Sequence, residues 1–504
     1  MIARLWFQTD PAVEVAGADQ NFYLYLLVAA VVVGVAVINR RIAAARHRDP
    51  ATWYWLGVIF PVVSLILLLA LPALAVDEGH LRRISRRQMV GIAFGLIGIV
   101  LVFVLAPNLI TETRSFAFEK PVAGAQLQVG FNPSVLVLVI GIVYWIVAGL
   151  SFLPDRHDRV SMVAQIIAAM LAVPLIVGIG LALSANSVNT NVMNLFDESL
   201  VLATPIALGA MTGLWSERVG IINIGIEGMM LAGAGVGFTT YAVLGQSRSV
   251  GWLWFSILIA VLSGAALAML LAFISIRYNV NQIVGGVVIN ILAIGLTGFL
   301  RSQVIVTSGY SKGVATAEIA IPGLSKIPIV GETFFTGRPI HFLMYVVVFL
   351  TWLVMFRTAW GLRVRSAGEN PHAAETLGID VVKLRYQSVL VGGLIAGLAG
   401  AWFSMESQSG FEDNMTNAAG FIALAAMIFG KWTPWGAFGG AMLFGFARAL
   451  GTRLQFLDVE IGGFGIPSEF FQAVPFIVTL VVVAGALGRA IPPAAEGQPY
   501  TPAK

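Results

Sequence analysis

The chain has 504 residues, of which 58% are hydrophobic and only 11% are charged, so most of it cannot face water. Its net charge of +4 comes from Arg and Lys that lie mainly in short breaks between apolar runs, which favours membrane topology over a nucleic-acid-binding surface. Because the chain contains no cysteine, disulfides, thiol catalysis and cysteine-ligated metals are excluded.

Apolar runs recur along the chain and are long enough to cross a bilayer as helices. The sequence therefore predicts an all-α polytopic membrane protein. We place the spans near residues 22–38, 53–75, 89–106, 133–152, 161–184, 198–214, 221–244, 253–276, 279–300, 339–357, 386–404, 418–430, 433–450 and 470–487. The run at 418–430 is short for a full crossing and follows Asn417, which favours a broken or half-length helix lining a cavity.

The spans suggest three regions. Residues 1–160 form an additional N-terminal region with three or four transmembrane helices, residues 161–490 form a ten-helix core, and residues 491–504 form a cytoplasmic tail. Two breaks, 107–132 and 301–338, are long enough to fold outside the membrane as surface caps.

Charges in the breaks predict the orientation of the core. The break at 358–385 is basic at both ends and is therefore expected in the cytoplasm, which puts 301–338 outside and the tail inside. Its basic residues are Arg363, Arg365, Lys383 and Arg385. Near the N-terminus two possibilities stay open: the run 53–75 spans, or it is re-entrant around Pro61.

The segment after residue 216 carries polar groups into the membrane. Asn223 and Glu227 lie one helical turn apart and share a face. An acid at mid-helix costs about 2.5 kcal/mol or more on insertion, so Glu227 needs a protein partner or a polar space. It either serves the pathway or gate, or forms a structural ion pair with a nearby base such as Arg218.

A weak internal echo relates the segment from Asn223 to Gly237 to the segment from Asn417 to Gly430. Each combines an Asn and a Gly with small residues, as in an inverted repeat whose site lies between the two halves. We expect the echo segments to meet around one central passage. The polar pathway candidates are Asn223, Glu227, Asn281, Asn290 and Asn417. Small residues such as Gly233, Gly393 and Gly397 predict close helix packing.

Four ordered blocks carry a resemblance to a known family. They are ERVGIINIGIEGMMLAGA at 217–234, NQIVGGVVIN at 281–290, AGENPHAAETLGI at 367–379 and GFIALAAMIFGKW at 420–432. Together they resemble permeases of ATP-binding cassette (ABC) importers for nucleosides and simple sugars, within the larger group that includes ribose and branched-chain amino-acid permeases. The resemblance covers about residues 160–490 and implies a ten-helix ABC importer permease core with inverted repeats.

The block with Glu227 to Met230 favours the nucleoside-like branch, because ribose-type and branched-chain amino-acid-type members lack that run. The chain departs from the branch at 417–419, where relatives often carry Gly and Arg, so no role of that Arg is transferred. The region before residue 160 is longer than usual and gets no function from the resemblance.

The segment 368–379 resembles the cytoplasmic coupling segment by which such permeases sit in a groove on their ATPase. Pro371 begins a short helix, Ala373 and Ala374 are small enough for close docking, and Leu377 suits an anchor. The other coupling candidates are Gly368, Glu369, Asn370 and Gly378. The alternative interpretation is an ordinary helix of a cytoplasmic loop.

The chain has no phosphate-binding loop with a Walker lysine, so hydrolysis of ATP with Mg is expected on a separate ATPase chain, and this chain needs no cofactor or catalytic residue of its own. The resemblance further implies a second permease subunit, either a paralogue or a copy. It also implies an extracytoplasmic solute-binding lipoprotein and a location in the bacterial cytoplasmic (inner) membrane.

Two other classes compete with this interpretation. An intramembrane enzyme is disfavoured, because the five His residues are scattered without metal-ligand spacing and Glu412-Asp413 has no partner motif. An ion-gradient-driven secondary transporter shares inverted repeats and buried acids, and it would work without an ATPase. The pathway residues suit nucleosides, purines, sugars and ring-bearing vitamins alike.

Overall fold

A computed structural model describes residues 34, 36–44, 53–54, 95, 98–109, 114–117, 128–151, 190–244, 249–309, 313, 315–327, 331–456, 460–461, 464–465 and 491–502. The chain divides into two compact units, residues 1–97 with 144–166 and residues 98–143 with 167–504. The predicted spans at 22–38, 53–75, 161–184 and 470–487 lie wholly or largely outside the described residues, and the span at 89–106 is described at residues 95 and 98–106.

In the first unit, residues 36–44 are helical, and the indole nitrogen of Trp145 donates to the carbonyl of Gly95 at 3.3 Å. In the second unit, part of the break at 107–132, which was predicted to fold as a cap, forms a small sheet together with residues 190–191. Strand β1 (Arg114–Ala117) pairs antiparallel with β2 (Gln128–Phe131) and parallel with β3 (Thr190–Asn191). Two further pairs of two-residue strands are β4 (Ile319–Ala320) with β5 (Thr336–Gly337), and β6 (Glu460–Ile461) with β7 (Phe464–Gly465).

Nine predicted apolar runs each correspond to a described helix, but the run predicted from residue 221 is helical only from Ile226, so Asn223 is not on that helix and shares no helical face with Glu227. The described helices also include three short ones outside those runs. In chain order, the described helices are α1 (Pro133–Ser151), α2 (Val192–Glu217), α3 (Ile226–Leu244), α4 (Val250–Arg277), α5 (Gln282–Leu300), α6 (Gly331–Phe335), α7 (Pro339–Arg357), α8 (Ala359–Glu369), α9 (Pro371–Thr376), α10 (Val381–Ala401), α11 (Ala419–Phe429) and α12 (Pro434–Phe456). Helices α5 and α10 continue into π-helical turns, Arg301–Ile305 and Trp402–Ser407. Among the described helices, α2, α4, α5, α7 and α10 with these continuations are long and apolar enough to cross a membrane.

Small residues bring three of these helices into backbone contact. A Cβ placed on Gly233 of α3 would lie 2.7 Å from the carbonyl oxygen of Gly397 of α10, and one on Gly264 of α4 would lie 2.5 Å from the nitrogen of Gly397. Since real Cβ atoms do not approach so closely, larger residues would force the helices apart. The prediction that Gly233 and Gly397 serve close packing is confirmed.

Helices α2 and α5 differ strongly in burial. In its apolar window, α2 is 89% buried, whereas α5 is only 28% buried and exposes residues such as Ile291, Ile294 and Phe299. An apolar surface of this kind suits lipid or another membrane subunit, because neither environment penalises it. Helix α2 is therefore central in the described core, and α5 lies at its periphery.

Candidate functional site

The chain is not helical between α2 and α3, over residues 218–225. A tight turn ends α2, in which the Gly220 nitrogen donates to Glu217 and Gly220 has φ +91°, a conformation that favours glycine. The freed backbone groups that follow find partners on α5. The side-chain oxygen of Gln282 accepts from the nitrogen of Ile222 at 2.7 Å.

Asn290 of α5 binds both sides of this break. Its side-chain oxygen accepts from the Gly228 nitrogen at 2.8 Å, and its side-chain nitrogen donates to the Ile224 carbonyl at 3.1 Å. An amide is suited to this double role because it carries a donor and an acceptor together. Non-helical backbone at membrane depth is tolerated only where protein satisfies its polar groups, so Asn290 holds the break in place.

Glu227, in the first turn of α3, caps another helix, the half-length α11. Its Oε1 accepts from the Thr416 hydroxyl at 2.6 Å and from the Ala418 nitrogen at 3.0 Å, and its Oε2 accepts from the Gly420 nitrogen at 2.6 Å. A carboxylate at a helix N-terminus satisfies the free N–H groups there and interacts favourably with the helix dipole. The N-terminal ends of the two predicted echo segments therefore meet at Glu227.

The backbone that leads into α11 adopts left-handed conformations. Asn414, Asn417 and Ala418 have φ values of +54°, +43° and +59°. Such a conformation costs a non-glycine residue on the order of 1–3 kcal/mol and persists only where the surroundings fix it. At Ala418 the hydrogen bond from its nitrogen to Glu227 supplies that fixing contact.

The other end of α11 is tied to the end of α2. Lys431 and Trp432 also have positive φ values, +53° and +52°. The Trp432 indole donates to Oε2 of Glu217 at 2.7 Å, and Arg218 donates from Nε and Nη2 to the Trp432 carbonyl at 2.9 and 2.6 Å. Segment 217–227 therefore binds both ends of α11, an 11-residue helix about 16 Å long.

The Arg218 guanidinium thus donates to the Trp432 carbonyl, and no Arg218–Glu227 ion pair occurs among the described residues. Of the two interpretations of Glu227, the structural ion pair with Arg218 is absent here. Among the described residues, Arg448 of α12 lies close enough to Glu227 for their opposite charges to attract. No pattern in the sequence pointed to Arg448, because it lies 221 positions away along the chain.

The remaining pathway candidates differ in placement. Asn223 is fully buried; its side-chain nitrogen donates to the Ser216 hydroxyl at 3.2 Å, and its Oδ1 has no hydrogen-bond partner in the described part of the chain. Asn281 is exposed and caps the N-terminus of α5. The side chain of Asn417 is exposed, and the hydrogen bonds to Glu227 come from its neighbours instead. A passage role for these residues stays a prediction.

A buried carboxylate at Glu406 was missed by sequence analysis. It lies in the π-helical turn after α10, is 2% exposed, and its Oε1 accepts from the Ile340 nitrogen at 2.6 Å and from the Thr316 hydroxyl at 3.2 Å. Since Ile340 belongs to the first turn of α7, Glu406 caps α7 as Glu227 caps α11. The available signal was an isolated acid two residues beyond the predicted apolar run 386–404.

The coupling candidates form α8, α9 and the turn after them. Asn370 caps α9 through a 3.0 Å hydrogen bond from the Ala373 nitrogen, and Pro371 begins the helix as predicted. Leu377 is 80% exposed, and Ala373 is exposed as well. Gly378 has φ +77°, which ends the turn before α10.

Two coupling candidates face inward. Ala374 is 2% exposed, because the single turn of α9 directs it at the chain itself, so its side chain is not free for docking. Gly368 permits the close approach of α8 to the carbonyl of Arg218. Glu369 accepts a 3.2 Å hydrogen bond from the Ala494 nitrogen of the C-terminal segment. Among the coupling candidates, Ala373 and Leu377 are therefore available for docking and Ala374 is not, and an ATPase contact stays a prediction.

Comparison with known proteins gives consistent matches. The family described as branched-chain amino acid transport system, permease component, matches residues 195–483, which is more than half of the chain. The chain is 38% identical to the guanosine ABC transporter permease protein NupQ of Bacillus subtilis over 313 residues, or 61% of this chain and 96% of NupQ. It is 39% identical to the nucleoside ABC transporter permease protein NupC of Lactococcus lactis over 311 residues, or 60% and 96%.

A third relative is the putative glucose ABC transporter permease protein TsgC13 of Haloferax volcanii, which is 37% identical over 267 residues, or 53% of this chain and 79% of TsgC13. No solved structure gives a significant match.

Proposed function

The chain belongs to the branched-chain amino acid transport system permease family, and on that premise we propose that it carries nucleosides or similar sugar-containing solutes into the cell with energy from a separate ATPase. The carrying observation is its 38–39% identity to a guanosine and a nucleoside permease across 96% of their lengths. The chain is a multi-pass membrane transport subunit, as its apolar helices and family indicate.

The broken segment 218–225 and the half-length α11 support a site at the centre of the core, because discontinuous helices bring polar backbone ends to a solute. We assign Asn223 as a solute contact, since its Oδ1 lacks a partner among the described residues and could accept from a hydroxyl or amine. Glu227 and Asn290 hold the two sides of that site, and Asn281 and Asn417 lie at its margins.

The subunits around this core follow from the same proposal. The ATPase binds at Glu369 to Gly378, hydrolyses ATP with Mg, and contacts Ala373 and Leu377. A second permease, copy or paralogue, covers apolar surface such as that of α5, and an extracytoplasmic lipoprotein delivers the solute. The proposed setting is a bacterial inner membrane, with a ten-helix core at 161–490 after extra N-terminal helices in 1–160.

The test is uptake in proteoliposomes that contain the chain, its ATPase, the second permease and the binding protein. We expect guanosine uptake that requires ATP, and competition by other nucleosides. Glucose uptake in place of guanosine uptake would move the solute class to sugars. Uptake by this chain alone under an ion gradient would instead identify a secondary transporter and overturn the proposal.

A further inference from the structure

The C-terminal segment 491–502 is packed against the core, although the sequence suggested only a tail. The Ala495 nitrogen donates to the Gly368 carbonyl at 2.9 Å, and the Gly497 nitrogen donates to the Gly220 carbonyl at 3.1 Å. The segment therefore bridges the end of α8 and the turn that ends α2. Two backbone hydrogen bonds to separate elements fix its position, because both donors would otherwise need water.

Tyr500 attaches the segment to the coupling helix. It is 5% exposed, its ring centroid lies 5.2 Å from that of His372 in α9, and its hydroxyl is hydrogen-bonded to Glu375. The guanidinium carbon of Arg385, on α10, lies 5.4 Å from the centroid of the same ring. Arg385 is 2% exposed, so the ring face offers its charge a favourable contact inside the chain.

Glu496 attaches the segment to the membrane core. Its carboxyl lies within hydrogen-bonding reach of the carboxyl of Glu217, which accepts from the Trp432 indole at 2.7 Å. A hydrogen bond between two carboxyls needs a proton on one of them. Burial raises the pKa of Glu496, which agrees with a shared proton. Trp432 lies three residues after α11 ends at Phe429, so the contact reaches the turn that follows the half-length helix.

We propose that residues 491–502 form a coupling clamp, in which Tyr500 and Glu496 are positioning residues that hold α9 at a fixed distance from the C-terminal end of α11. Movement of α9 by an ATPase would then reach α11 through Tyr500, Glu496 and Glu217. This inference rests on the proposed function, since it takes α9 as the ATPase contact. A clamp of this kind links docking of the ATPase at α9 to the solute site, although the clamp itself does not contact the solute.

The test uses the complete importer in proteoliposomes and measures two quantities, solute taken up per ATP hydrolysed and ATPase bound per permease. Tyr500→Ala should lower the uptake per ATP about threefold or more, through loss of the ring contact with Arg385 and the hydrogen bond to Glu375. Tyr500→Phe keeps the ring and should retain most of the ratio. The matched control is Gln498→Ala, because the exposed Gln498 bonds only its neighbour Ala494 through its side chain among the described residues.

A second pair of variants tests the other attachment and avoids dependence on Tyr500. Glu496→Gln keeps a hydrogen-bond donor and should retain the ratio, whereas Glu496→Leu should lower it. If neither Tyr500→Ala nor Glu496→Leu lowers the ratio below that of Gln498→Ala, the clamp is overturned while the importer assignment stands. Absence of ATP-dependent uptake by the unmodified importer would instead contradict the proposed function itself.

Discussion

Replacing Glu227 with glutamine tests whether this carboxylate stabilises α11. In the best orientation, the glutamine oxygen keeps the donors Thr416 and Ala418, and the new NH₂ group faces the nitrogen of Gly420, donor against donor. An unsatisfied N–H costs about 1–3 kcal/mol. Loss of the charge at the helix N-terminus adds about 0.3–1 kcal/mol. Because Glu227 is only half-buried, we expect the free energy of unfolding to fall by about 2 kcal/mol, in the lower half of the combined range.

The assay is reversible unfolding of the full chain in mixed micelles, with double-mutant cycles. Glu227→Ala, which removes the acceptor that glutamine keeps, combined with Thr416→Val should show a coupling of about 1 kcal/mol, since the two side chains are in direct contact. Glu227→Gln combined with Arg218→Met should be additive. The control is Glu412→Gln, an exposed acid before α11, with an expected change within about 0.5 kcal/mol. Coupling to Arg218 without coupling to Thr416 would refute this account and restore the ion pair.

Three further predictions concern other contacts. Asn290→Leu should lower the free energy of unfolding by about 2–4 kcal/mol in the same assay, because it leaves two backbone groups at the break without a hydrogen-bond partner. A change under about 0.5 kcal/mol would contradict that role. Leu377→Asp should weaken binding of the ATPase at least about tenfold, as expected for loss of an anchor, and should leave the free energy of unfolding unchanged. Ala374→Arg should instead lower the free energy of unfolding, because Ala374 faces inward. Co-purification with the ATPase measures the first effect, and unfolding measures the second. The part of the attachment of segment 491–502 that depends on the Glu496 proton should be present below the ordinary pKa of 4.5, and it should be lost as pH rises through the raised pKa of Glu496. Hydrogen exchange of the segment across pH 4.5–8 checks this expectation. The same pH profile in Glu496→Gln would exclude Glu496 as the titrating group.

The sequence alone was sufficient to predict where most of the described membrane helices lie and that Gly233 and Gly397 pack closely. The positions of α7 and α12 follow from their apolar runs. A membrane helix satisfies its backbone hydrogen bonds within itself, so its position depends on local composition. Pro371 was predicted as the residue that begins α9, and the structure agrees, whereas Asn281 was predicted as a pathway residue and its cap of α5 was not predicted. The four blocks also determined the family, since their order and spacing are properties of the chain.

Only the tertiary structure decided which groups the polar residues bind. Glu227 binds backbone about 190 positions away, and Trp432 binds Glu217 and Arg218 at a similar separation. The C-terminal segment was predicted as a tail because it follows the last apolar run, and only the structure shows Ala495 and Tyr500 buried against α8 to α10. A hydrogen bond or a ring contact depends on distance in space, and a charge in the sequence offers several candidate partners. Folding selects one of them through the helix contacts that bring it within reach.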